Sequence, residues 1–74
     1  MNKYYTTSDM IEDVMNARLQ GNDAYITRHG SPRMGPVLEV KHLGFGTTHA
    51  MILLRGPSWV TVDPMMCKFT SEPR

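Results

Sequence analysis

The chain has 74 residues, of which 41% are hydrophobic and 20% charged, and its formal net charge is +1. This balance indicates one small globular domain over residues 1–74 and weighs against a broadly basic nucleic-acid binder. The single cysteine excludes an internal disulfide, and no apolar run is long enough for a transmembrane helix. Residues 1–5 lead into polar sequence instead of a signal-peptide core, so we expect a cytoplasmic protein with no membrane association.

An α-helix is predicted over residues 8–20. Asp9 is the expected N-cap, with Glu12 as its reciprocal capping partner, and Thr7 or Ser8 are alternative caps. Apolar residues at helical spacing should cover another part of the domain. These residues are Met10, Ile11, Val14 and Ala17.

Residues 24–70 predict β structure, because short runs of β-favouring residues alternate with Gly- and Pro-containing turns. Four to five mostly antiparallel strands are expected. Their predicted ranges are 24–27, 37–42, 49–55, 59–62 and 67–70. The fold class is therefore α+β, with the N-terminal helix packed on a small barrel or a simple meander.

Three local features refine this prediction. Leu38 and Val40 should share the buried face of their strand, because residues two apart lie on one face. The continuous apolar run 50–54 predicts a strand covered on both faces. A 3₁₀ turn is expected at residues 65–66, and the tail 71–74 is expected to be frayed.

The end of the chain resembles a known architecture. Trp59-Val60, a turn led by Pro64 and a short strand closing with Lys68-Phe69 are typical of the end of a small SH3-like barrel. Over residues 35–70 the sequence resembles SH3-like barrels of the KOW or Tudor kind. The resemblance implies a barrel with one open end covered by the N-terminal helix. It also implies a role in binding, because such barrels serve as binding modules.

The sequence predicts no catalytic or metal site. His29, His42, His49 and Cys67 lack the two- to five-residue spacing of a structural zinc site. The lone thiol is favoured as a small core residue, and no phosphate-binding loop or nucleophile elbow is found. We therefore expect neither an enzyme nor a cofactor.

Binding features are better supported. The loop 28–33 gathers two arginines and a histidine suited to phosphate or to an acidic protein surface, with a solvated loop as the alternative. An aromatic residue between two glycines could serve as an anchor or lie tucked inward, and paired methionines suit an adaptable binding surface. The candidate partner-binding residues are Arg28, His29, Arg33, Phe45, Met65 and Met66.

These features favour a stand-alone interaction protein that docks on and modulates a larger protein or complex. Bacterial and phage inhibitors or accessory factors of this size act in that way, which is an argument by analogy. The alternative is a nucleic-acid-binding SH3-like barrel with Phe45 as a stacking platform. Its candidate contacts are Arg28, Arg33, Lys41 and Arg55. A homodimer formed through an exposed edge strand is a third hypothesis.

Overall fold

A computed structural model describes residues 5–44 and 48–74 of the chain. In chain order the elements are α1 (Thr7–Leu19), β1 (Asn22–Arg28), β2 (Arg33–Met34), β3 (Val37–His42), β4 (Ala50–Leu54), β5 (Ser58–Val62), a 3₁₀ turn (Pro64–Met66) and β6 (Cys67–Pro73). The α+β class is confirmed. The strands lie in two three-stranded antiparallel sheets, ordered β2-β1-β6 and β3-β4-β5, where the sequence predicted four or five strands in one barrel or meander.

Helix α1 matches the predicted range to within one residue at each end, but its cap differs. The N-cap is Thr6, whose Oγ1 accepts a hydrogen bond of 3.1 Å from the amide of Asp9. Asp9 in turn accepts from the amide of Thr6, which completes a capping box one turn earlier than predicted. The buried Thr7 hydroxyl also donates to the carbonyl oxygen of Thr48, a contact that local sequence does not indicate.

Strand β3 contains an irregularity that reverses one prediction. Its register to β4 shifts between Val37 and Glu39, as in a β-bulge. Val37 and Val40 are therefore buried, whereas Leu38 is exposed, so the prediction that Leu38 and Val40 share a buried face is wrong. On β4 the inward-facing Ala50 and Ile52 are fully buried, while the residues between and after them are half-buried.

The tail is part of the fold and is not frayed. Strand β6 pairs with β1 along seven residues, from Arg28 opposite Cys67 to Asn22 opposite Pro73. Beyond the ladder, the Arg74 Nε atom lies 2.9 Å from Asp23 Oδ1. The prediction of a frayed end was wrong because it considered only local sequence, whereas the partner of this strand lies about fifty positions earlier.

The core lies between the helix and the two sheets. Helix α1 contacts β1, β3 and β6, so it spans both sheets. The buried apolar residues are Met10, Val14, Ala17, Ala24, Ile26, Val37, Val40, Ala50, Ile52, Val62 and Cys67. Three of the four residues predicted for the apolar stripe of the helix are buried, and Ile11 is half-buried against them. No helix in the described part of the chain combines the length and apolar content needed to span a bilayer.

Candidate partner-binding groove

An open groove of about 700 Å³ lies at one end of the β1–β6 ladder, between the β1–β2 turn and the 3₁₀ turn. It is lined by Thr27, Arg28, His29, Gly30, Ser31, Pro32, Met65, Met66, Cys67 and Lys68. We call it the methionine groove. It brings together four of the six candidate partner-binding residues, which the sequence could only place in two separate segments.

One wall of the groove is the 3₁₀ turn. The Asp63 carboxylate caps it by accepting a hydrogen bond of 3.1 Å from the amide of Met65, and the Asp63 carbonyl oxygen accepts from the amide of Met66. Pro64 takes the inward position and is fully buried. The two methionines therefore face outward, and they are 56% and 51% exposed.

The other wall is the turn that follows β1. The amide of Ser31 donates to the carbonyl oxygen of Arg28 at 2.9 Å, and Gly30 adopts a φ of +78°, a conformation that glycine accepts without steric cost. The amide of His29 donates to the carbonyl oxygen of Met66 at 2.8 Å. This bond joins the two walls, so the main chain fixes the shape of the groove.

The groove has a positive rim. Arg28 and Lys68 both line it, His29 adds a titratable nitrogen, and none of the described residues that line it is acidic. An apolar surface edged by cations suits a carboxylate-bearing partner, because the guanidinium group forms strong hydrogen bonds to carboxylates.

Cys67 lies at the base of the groove and is not set up as a nucleophile. Burial raises the pKa of its thiol; the Asp63 carboxylate acts in the same direction, and Arg28 opposes both. Because the raised pKa keeps the thiol protonated at neutral pH, the residue acts as a small apolar side chain. Among the described residues, no group of three or more His, Cys, Asp or Glu side chains could hold a metal ion.

Arg33, which the sequence places in the same loop as Arg28, is not among the residues that line the groove. Its Nη1 atom is 2.6 Å from Glu72 Oε2, and its guanidinium carbon lies 4.0 Å from the centre of the Tyr25 ring. The short strand β2 places it beside β1, where an acid from β6 neutralises it. The other candidate, Phe45, lies outside the described residues.

The residues proposed for nucleic-acid contact are spread over different elements. Arg28 lines the methionine groove, Arg33 pairs with Glu72, and Arg55 lines a separate cleft. The Lys41 ammonium lies 3.5 Å from a carboxylate oxygen of Glu39 and 5.1 Å from the centre of the Trp59 ring. Arg28 and Arg55 therefore line different clefts, and Arg33 and Lys41 are each paired with a glutamate.

Sequence reasoning missed Lys68, which lines the groove, and Asp63, which caps the 3₁₀ turn that forms one wall. Lys68 follows the buried Cys67 in a strand, so alternation alone places it on the outer face. Asp63 precedes a proline at the start of a helical turn, a position where an aspartate commonly caps. Both signals are present in the sequence.

No protein-family model, curated protein sequence or solved structure matches this chain.

Proposed function

We propose that this protein is a small SH3-like interaction protein that docks on and modulates a larger protein or complex through the methionine groove. The observation that carries the proposal is the pair Met65 and Met66, half-exposed on a turn that main-chain hydrogen bonds hold in place. The bound segment of the partner is acidic and carries an apolar side chain. A bacterial or phage inhibitor or accessory factor is the kind of role that fits.

The strand arrangement supports the SH3-like part of the proposal. Three consecutive strands, β3 to β5, form one antiparallel sheet, and the first and last strands pair in the other. A 3₁₀ turn joins β5 to β6, as in the end of the barrel that the sequence resembles. Helix α1 bridges both sheets.

The apolar part of the groove supplies a driving force for docking. Burying the exposed half of one methionine side chain contributes about 1 kcal/mol, since full burial contributes about 1.5–3 kcal/mol. Methionine also adapts to different partner shapes, because its unbranched chain has several rotatable bonds. Two adjacent methionines on a fixed turn therefore combine a rigid position with an adjustable surface.

The charge of the groove selects the partner. Arg28 and Lys68 attract an acidic segment, and the absence of acids among the described lining residues leaves both cations available to it. Neither side chain has a hydrogen bond or ion pair with a described residue. Electrostatic complementarity of this kind speeds association and rejects basic partners.

The test is a comparison of partners captured by matched variants. The tagged protein, the double variant Met65→Ser/Met66→Ser and the control Met15→Ser/Leu19→Ser are each incubated with lysate of the source organism. The control removes two exposed apolar side chains, 58% and 83% exposed, that lie on α1 outside the groove.

The proposal expects a protein partner that nuclease treatment leaves bound, that the groove variant loses and that the control retains. The charge reversal Arg28→Glu should weaken the same partner. Equal capture by both double variants would show that the groove is not the docking site. Capture that disappears with nuclease would favour the nucleic-acid alternative.

A further inference from the structure

A second cleft of about 260 Å³ lies at the opposite end of the β1–β6 ladder from the methionine groove. Its lining residues are Arg18, Asn22, Asp23, Ala24, Pro36, Val37, Leu38, Arg55 and Arg74. We call it the arginine cleft. The two sites lie toward opposite ends of β1, where their nearest lining residues on that strand, Ala24 and Thr27, are three positions or about 10 Å apart.

Three arginines reach this cleft from distant parts of the chain. Arg18 is in the last turn of α1, Arg55 follows β4, and Arg74 follows β6. Asp23 is the one acidic side chain among the described residues that line the cleft, so the side chains of the lining have an excess of two positive charges. Three cations brought together by the fold repel one another, and an anion between them would offset that repulsion.

The contacts of the arginines leave most of their donors available. Arg74 uses Nε for the ion pair with Asp23, and Arg18 donates from Nη1 to the carbonyl oxygen of Leu38 at 3.3 Å. Arg55 is exposed and has no hydrogen bond or ion pair with any described residue. Each guanidinium group carries five N–H donors, so the cleft presents far more donors than its own acceptors occupy.

We propose that the arginine cleft binds the phosphate group of a small phosphate monoester. Guanidinium groups match the geometry of phosphate oxygens and bind them through paired, charge-assisted hydrogen bonds. The negative end of the α1 dipole lies near the cleft and opposes an anion, but Arg18 in the last turn offsets it.

The surroundings favour a small ligand over a polynucleotide. A polynucleotide needs a series of cations that follow its backbone. Beyond the cleft, Arg33 and Lys41 are already paired with Glu72 and Glu39. The remaining unpaired groove cations, Arg28 and Lys68, lie at the other end of the β1–β6 ladder. The cations therefore form no continuous series, and the arginine cleft has room for one phosphate group.

The test is a titration of the full chain with inorganic phosphate and with glycerol 3-phosphate, followed by calorimetry and by NMR of the arginine side chains. Glycerol and a single-stranded oligonucleotide without a terminal phosphate are the comparison ligands. The variants are Arg55→Gln and Arg55→Lys, with Arg33→Gln as the control that removes the same charge outside the cleft. Thermal unfolding of each variant checks that the fold is kept.

The proposal expects saturable binding of both phosphate probes with a Kd of about 1 mM or below. Arg55→Gln should weaken binding at least about tenfold, and Arg55→Lys by less, because lysine keeps the charge but loses the paired hydrogen bonds. Arg33→Gln should leave the affinity unchanged.

Three results would overturn it: no saturable binding of either phosphate probe, an equal loss in Arg33→Gln and Arg55→Gln, or tighter binding of the oligonucleotide than of glycerol 3-phosphate. None of them bears on the methionine groove, since the partner-capture variants lie at the other end of the ladder. Failure of one proposal is thus distinguishable from failure of the other.

Discussion

The amide of His29 donates a hydrogen bond of 2.8 Å to the carbonyl oxygen of Met66 and thereby ties the turn after β1 to the 3₁₀ turn before β6. This bond continues the β1–β6 ladder by one step beyond its last pair, Arg28 opposite Cys67. The methionine groove is therefore an extension of a sheet, and its two walls are positioned by the same hydrogen bonding that holds the strands together.

The cap of the 3₁₀ turn should be needed for the shape of the groove. Asp63→Ala removes the acceptor for the Met65 amide and should lower the free energy of unfolding by about 1 kcal/mol, as helix caps do. Asp63→Asn keeps an acceptor and should cost less. Urea unfolding measures both effects, and equal stability of the two variants would contradict the role of the cap.

The capping box of α1 should depend on Thr6 and not on the serine near it. Thr6→Ala removes the side chain that accepts from the Asp9 amide, and it should cost about 1 kcal/mol. The control Ser8→Ala changes an exposed residue inside the first turn and should stay within about 0.5 kcal/mol of the wild type. Thermal unfolding of the two variants shows whether Thr6 or Ser8 caps the helix.

Two methionines on the same helix should differ sharply in their effect on stability. Met10 is fully buried between the helix and the sheets, whereas Met15 is 58% exposed. Met10→Ala should cost about 2–5 kcal/mol, a large share of the roughly 5–15 kcal/mol that stabilises a typical domain. Met15→Ala should be near neutral. Similar losses of stability in Met10→Ala and Met15→Ala would show that the helix packs through a different face.

Stability should fall in alkaline solution. Burial and the hydrogen bond of 2.7 Å to Asp13 raise the pKa of Tyr5, and burial raises the pKa of Cys67. Both groups therefore stay protonated in the folded state after they ionise in the unfolded state. Their contribution is complete below the ordinary thiol pKa of about 8.5, and it is lost as the pH rises through that value and through about 10.

Urea unfolding at about pH 7, 9 and 10.5 measures this dependence. The variant Tyr5→Phe removes one of the two titrations and should show a shallower decline above about pH 10 than the wild type. Cys67→Ala should be shallower between about pH 8 and 9.5. Identical slopes in all three proteins would refute this origin of the pH dependence.

The sequence predicted those parts of the fold that depend on nearby residues. The range of α1, the strand 37–42 and the 3₁₀ turn follow from spacing and from turn residues. The N-cap at Thr6 was missed although its capping box with Asp9 is a local pattern. The strand error arose where a distant contact decides the outcome, because β6 extends to Pro73 along seven partners on β1. The bulge that exposes Leu38 is likewise set by pairing with β4.

In the candidate site, too, features set by nearby residues could be predicted and features set by distant contacts could not. Arg28, Met65 and Met66 could be chosen as candidates by residue type, because charged and flexible side chains next to turns indicate a binding surface. The exposure of the loop that contains Arg28 could not be predicted. That Arg28 and the two methionines line one groove could not be predicted, because it depends on the register of β1 with β6. The same register carries Arg33 toward Glu72 and brings Arg74 to Asp23, and neither pairing is visible in local sequence.

The pairing of the first strand with the last has a consequence for synthesis. Asp23 and Arg74 are joined across 51 positions, and β1 has its long ladder only with β6. This sheet can therefore close only after β6 has left the ribosome, whereas α1 and the β3-β4-β5 sheet are made of earlier segments. Until β6 has emerged, the edge of β1 that it covers is open to a chaperone or to a neighbouring nascent chain.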